Sequence, residues 1–419
     1  MEVYRDAGRA LVPGHRVATV KEILTTICRS WGWPGERAAG DTIMQHRAAS
    51  IVSGILFAAL LLAAEPSYAQ RVAIQAPSGA SYEARLAAYT RARNAYEAEA
   101  SAYWSSIAEK RRTRFAKRRN HEPVGLNDYV LTQPPVYAGP PKPPGPDVPD
   151  VTKPPRAPIP VVADFLKAAA DHYRFVPQRP SSDLDFKRGY AKAAKAAGLT
   201  RVQIVRIYAF ETGGNGKYDV QSGLTHPRPN ARAISTAIGY NQLLATNSVS
   251  LLAGYGDQFV KALRQRDVAD NKIDHLRRMI AFSRKVPNQW GEHDKLAKTR
   301  GGMGIHAAVL DRDFGPLLQV QKLLNSVKFA QIKGHSARLT AAELEMMNLT
   351  GDGNGIDLVT MPQSIRERVP TSNFFQRGGY ERNGIARRTG TVAALYAEMN
   401  GIMDRLSQQP GAKELASAF

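Results

Sequence analysis

Apolar and polar positions divide the chain into zones of different period. The first regular zone is residues 79–119, GASYEARLAAYTRARNAYEAEASAYWSSIAEKRRTRFAKRR. Tyr82, Leu86, Tyr89, Tyr96, Tyr103 and Ile107 recur there at about 3.5 residues, and no proline or glycine follows Gly79. The pattern predicts one long amphipathic, basic helix over 79–120. Its tyrosine stripe reads as a packing seam, either pairing with a second copy or lying on the domain that follows. The tail EKRRTRFAKRRN reads as a solvated basic face or as a contact with a wall polymer or membrane surface.

The periodicity stops at TQPPVYAGPPKPPGPDVPDVTKPPRAPIP, residues 132–160. Proline at this density favours extended polyproline II and excludes helix and central strand, so the stretch reads as a semi-rigid linker. From 161 to 408 the helical period returns in VADFLKAAADHYRF, LDFKRGYAKAAKAAG, LTRVQIVRIYAFE, NSVSLLAGYGDQFVKALRQR, VADNKIDHLRRMIAFSRK, GPLLQVQKLLNSVKFA, TAAELEMMN and TVAALYAEMNGIMDRLSQ. Alternating β-branched runs are scarce. The expected class is mainly α, with at most a small β-hairpin.

Composition changes this picture through charge and location. There are 57 Lys and Arg against 37 Asp and Glu, a formal net charge of +20, which points to an anionic partner. Residues 44–69 resemble an export signal: His46 and Arg47 precede an apolar run from Ile51 to Ala64, and Ser67-Tyr68-Ala69 offers small residues for cleavage. That run is short for a bilayer span, which needs roughly 20 apolar residues. On this reading Met44 is the start, residues 1–43 are a non-native extension, and the mature protein is periplasmic; a long n-region acting as an uncleaved anchor is the alternative. The single cysteine, Cys28, falls in the discarded segment, so neither disulfides nor thiolate chemistry is expected. Export argues against nucleic acid and leaves an anionic wall glycan as the partner.

One carboxylate stands out in YAFETGGNGKYDVQSG, residues 208–223. Thr200 and Gln203 form a capping box at the start of the helix that ends near Glu211, and Ile204, Ile207 and Tyr208 share its face. An apolar face and a helix C-terminus both raise a carboxyl pKa, as a general acid for a glycosidic oxygen requires. A surface glutamate turned to water is the alternative reading of the same pattern.

Residues 235–249, STAIGYNQLLATNSV, bring in a family. FET followed by AIGYNQLLATNS resembles the lysozyme-like soluble lytic transglycosylases, which carry a helix ending in Glu-Ser and then a Gly-Leu-Met-Gln-Leu segment. Gly239, Gln242 and Leu243 match that spacing. Thr212 stands for the Ser, and Tyr240-Asn241 for the Leu-Met. The family's Ala-Tyr-Asn-x-Gly motif has a partial counterpart in LEMMNLTGDGNG, where Asn348 aligns with the Asn and Met347 replaces the Tyr. The likeness spans about residues 195–355.

The resemblance implies a lysozyme-like α domain at 161–408. It implies cleavage of peptidoglycan between MurNAc and GlcNAc by Glu211 as single acid and base, leaving 1,6-anhydro ends. Gln242 and Asn348 would bind the sugar, with Gly239 and Thr212 beside them and Tyr240 stacking on a ring or buried as a hairpin aromatic. Two alternatives stand beside it: a hydrolytic muramidase or other glycoside hydrolase, and a catalytically silent wall-binding scaffold of the same fold. A hydrolase needs a second carboxylate roughly 5–9 Å across the bond. Asp219 is nearest in sequence but reads as a turn residue, and Asp257 as a helix cap. NLTGDGNGID lacks the spacing of a calcium or phosphate loop, and no HExxH or paired histidines occur, so no metal and no cofactor are expected. Phe374, Phe375 and Tyr380 line a glycan groove or tuck onto the core, with equal support for each.

Overall fold

The computed structural model describes residues 81–145, 158–224, 231–266 and 268–419. The expected extension 1–43, the expected export signal 44–69 and part of the proline-rich stretch, 146–157, lie outside the described residues. Among the described residues the regular structure is helical, with short 3-10 turns and no strand. The small hairpin allowed by the sequence is reduced to isolated bridges, Gln221–Ile238 and Ile238–Leu243 in the middle of the chain and Pro370–Thr391 near its end.

The long helix is α1, Tyr82–Arg119. Ser81 caps it by accepting from the Ala84 amide, Glu83 sits in the first turn, and Lys117, Arg118 and Arg119 sit in the last, each placed to favour the helix dipole. Its tyrosine stripe has a partner within the chain. The rings of Tyr89 and Tyr96 meet Tyr137 edge-on at 6.2 and 5.5 Å, and the Tyr103 hydroxyl donates to the Thr132 carbonyl at 2.9 Å. Gly139 lies against Ala92, and Gly145 near Tyr82. The proline-rich chain therefore runs back along α1, and residues 132–145 are a packed element where the sequence suggested a spacer. Polyproline II makes no hydrogen bonds of its own, so it can lie against an aromatic face without leaving its backbone mispaired.

The basic tail also departs from a solvated face. Arg114 is fully buried: its Nε lies 3.1 Å from Asp357 Oδ2, and its other nitrogens donate to the carbonyls of Asp128 and Asn373. Arg111 donates to the carbonyls of Asn373 and Phe375, Arg118 pairs with Asp357, and Lys117 with Asp128. The five donors of a guanidinium suit it to satisfying clustered carbonyls. The 3-10 turn Thr371–Phe374 supplies the Asn373 carbonyl, and Phe375 directly follows it. Of the basic residues in this stretch, only Arg112 and Arg119 are exposed.

The remaining helices are α2 (Val162–Tyr173), α3 (Asp183–Ala196), α4 (Arg201–Thr212), α5 (Ala245–Arg264), α6 (Asp270–Ser283), α7 (Trp290–Ala297) and α8 (Arg300–His306). Then come α9 (Phe314–Ile332), α10 (Ala341–Thr350), α11 (Asp352–Val359), the single turn α12 (Gln363–Arg366), α13 (Arg377–Arg382), α14 (Gly384–Thr389), α15 (Val392–Leu406) and α16 (Pro410–Ser417). The helical domain thus continues past residue 408. Short helices such as α7, α8 and α11 carry too few turns to show a period, so no sequence pattern marks them. Asp257 lies inside α5 and pairs with Arg284 at 2.8 Å, so it is not a cap.

Two hydrophobic clusters form the core. One gathers α3, α4, α10, α11, α15 and α16, and the other gathers α2, α5, α6 and the 3-10 turn Ala307–Leu310. Helix α9 serves both: Phe314 and Leu318 belong to the second cluster, Val320, Leu323 and Ala330 to the first. The loop before α5 does the same, with Ile238 and Leu243 in one cluster and Tyr240 in the other. Glu211 lies near this seam.

Candidate functional site: a buried carboxylate pair

Helix α4 is capped as its sequence suggests. The Thr200 hydroxyl accepts from the Gln203 amide while the Gln203 side chain accepts from the Thr200 amide. The helix stops because Gly213 and Gly214 take left-handed conformations, φ 68° and 76°. At Gly214 a Cβ would also collide with the Leu406 carbonyl, so the turn requires glycine. The chain leaves abruptly, and Glu211 remains on the last turn with 1 % exposure.

The amide of Asn348 on α10 ties this carboxylate down. Its Nδ2 donates to Glu211 Oε1 at 2.8 Å and to Glu345 Oε1 at 3.2 Å. Glu345 and Asn348 are three residues apart on one helix face, so both reach the same point. The two carboxyl groups are thus held by a single donor nitrogen. Lys322 projects from α9 and donates to the Asn241 carbonyl at 2.8 Å. Asn241 is itself fixed: Tyr190 donates to its Oδ1 at 2.8 Å, and its backbone and side-chain N–H groups donate to Gln319.

Burial pushes the Glu211 carboxyl well above the ordinary range. The neighbouring Glu345 raises it further, while Lys322 and the Asn348 amide oppose the shift. Burial raises Glu345 to about 7, against the pull of Lys322, Asn348 and its hydrogen bond with Glu211. Desolvation of the Lys322 ammonium lowers its pKa although the residue is partly exposed, and the two carboxylates work against that loss. Asn348 and Lys322 are the partly exposed members of this group, so α9 and α10 form its solvent side.

The residues singled out in the sequence end up in different roles. Glu211 and Asn348 meet. Gln242 does not reach them; its Nε2 donates to the carbonyls of Gly239 and Val220, and its backbone is left-handed with φ 42°. Gly239, φ 85°, turns the loop against the Gln319 side chain. The Thr212 hydroxyl donates back to the Tyr208 carbonyl within α4. Tyr240 is buried among Phe186, Tyr190 and Tyr208, and its hydroxyl donates to Asp183 Oδ1 at 2.9 Å. It holds the core and offers no face to a sugar ring. Phe374, Phe375 and Tyr380 are also buried, which decides for packing on the core.

Sequence patterning singles out neither Glu345 nor Lys322. Glu345 carries a faint signal, one helical turn before Asn348. Lys322 carries none, because only the crossing of α9 with α10 brings it near. Among the described residues no group of three or more His, Cys, Asp or Glu side chains is placed to hold a metal ion. What the arrangement offers is a carboxyl whose pKa burial raises, fixed by an amide. No family model, curated protein or solved structure matches the chain.

Proposed function

We propose that this protein is a peptidoglycan lytic transglycosylase of lysozyme-like fold, exported to the periplasm and acting on MurNAc–GlcNAc bonds. The observation that carries the reading is the Glu211 carboxyl, desolvated at the end of α4 and held by Asn348 at 2.8 Å. Glu211 donates its proton to the glycosidic oxygen as the C1–O bond breaks. It then takes the proton of the MurNAc 6-hydroxyl as O6 bonds to C1, which closes the anhydro ring and consumes no water. Asn348 keeps the carboxyl oriented through both steps. Glu345 lies on the same side as Glu211 and shares its amide donor, so it is not a carboxylate across the bond from the acid. That favours the transglycosylase over a two-carboxylate hydrolase. The surplus of +20 supports an anionic wall polymer as the partner.

A second reading, a catalytically silent wall-binding scaffold, is favoured by the 1 % exposure of Glu211 and by the burial of the candidate aromatic platforms. One experiment separates them. Sacculi incubated with the wild type should release muropeptides one water lighter than hydrated reducing ends. Glu211→Gln should lower that release by about 10²–10⁴-fold, the usual worth of a general acid. Hydrated ends would mean a hydrolase, and binding without release a scaffold.

A further inference from the structure

We propose that Glu345 is a positioning residue that shares a single proton with Glu211 across their common Asn348 donor. The inference rests on the reading of Glu211 as the acid and base, and it adds a residue, Glu345, that the matched motif positions do not include.

The geometry carries it. One Asn348 nitrogen donates to both carboxyls, at 2.8 and 3.2 Å, and Glu345 Oε2 is buried with no other donor. Glu345 is 0 % exposed, and two bare carboxylates held on one donor nitrogen in a desolvated site repel strongly. A proton between them removes the repulsion and gives Glu345 Oε2 a partner. Lys322, whose ammonium donates to the Asn241 carbonyl, adds a positive field that favours the one remaining negative charge. The directions of the pKa shifts agree: the two acids are raised and each carboxylate supports the ammonium.

Three carboxylates on the helices around α4 are committed elsewhere. Asp404 on α15 pairs with Arg206, while Asp183 of α3 and Glu414 of α16 both hold Lys187. Tyr190, on α3, is the remaining titratable group facing Glu211; burial raises its pKa, so it stays neutral. During catalysis Glu345 would keep Glu211 protonated before bond cleavage and, as its charge returns, make Glu211 basic enough to deprotonate the 6-hydroxyl.

The test is a carboxyl-carbon NMR titration of the full chain labelled at glutamate, with Glu211→Gln and Glu345→Gln used for assignment. In the wild type the two signals should titrate together in two steps. In Glu345→Gln, Glu211 should titrate in one step at lower pH, and in Lys322→Met both signals should move to higher pH. On sacculi, Glu345→Gln should keep its rate at pH 5 and lose roughly tenfold at pH 7, as expected if the acid gives up its proton about one pH unit earlier. An unchanged Glu211 titration in Glu345→Gln would overturn the shared proton even if anhydro products are released. Two-step coupling without any product would uphold the pair and sink the transglycosylase reading.

Discussion

Replacing Glu345 by glutamine should make the protein more stable above neutral pH while harming its chemistry. The substitution keeps the shape and the acceptor for Asn348, and its new N–H group can donate to Glu211. In the wild type the Glu345 carboxyl rises from an ordinary 4.5 in the unfolded chain to about 7 in the fold. A raised carboxyl pKa means the native state binds the extra proton. Its stabilising contribution is complete below the unfolded value and is lost as pH climbs through the folded one. Between pH 4.5 and 7 the wild type should therefore lose about 3 kcal/mol from this group, at about 1.4 kcal/mol for each pH unit between the two values. Urea unfolding of both proteins at pH 4 and pH 8 checks it. The variant should match the wild type at about pH 4 and exceed it by about 3 kcal/mol at about pH 8. Stability curves that run parallel across that range would refute the buried ionisable pair.

Two further substitutions test the fold around the site. Arg114→Met should cost about 3–5 kcal/mol in thermal or urea unfolding, because it leaves Asp357 buried with only Arg118 and strips a donor from the Asn373 carbonyl. A loss under about 1 kcal/mol would mean that α1 is not anchored there. Tyr240→Phe should cost about 1–2 kcal/mol through the lost bond to Asp183 and leave the apparent KM for glycan unchanged. A raised KM with normal stability would return Tyr240 to the substrate.

The helices of the domain were legible because their apolar period and caps are local. Thr200 and Gln203 announce α4 within four residues, and Gly213 with Gly214 announce its end. Glu211 could be singled out on that basis alone. The roles of Tyr240 and Gln242 could not be read the same way. A matching motif position says nothing about which way a loop turns, and the left-handed residues Gly239 and Gln242 send Tyr240 into the core. The basic tail of α1 misleads for a related reason: a run of Arg and Lys usually means solvent, unless carbonyls from a distant turn take its donors.

By itself, then, the sequence determined the long helix, the mainly α class and a carboxylate at a helix end, all of which follow from residues within a turn or two of each other. Only the tertiary structure decided that Glu345 joins Glu211, that residues 132–145 lie along α1, and that Arg114 is buried. These pairings join segments far apart in the chain. Their energies come from desolvation and contact between elements, which no local pattern of residues records.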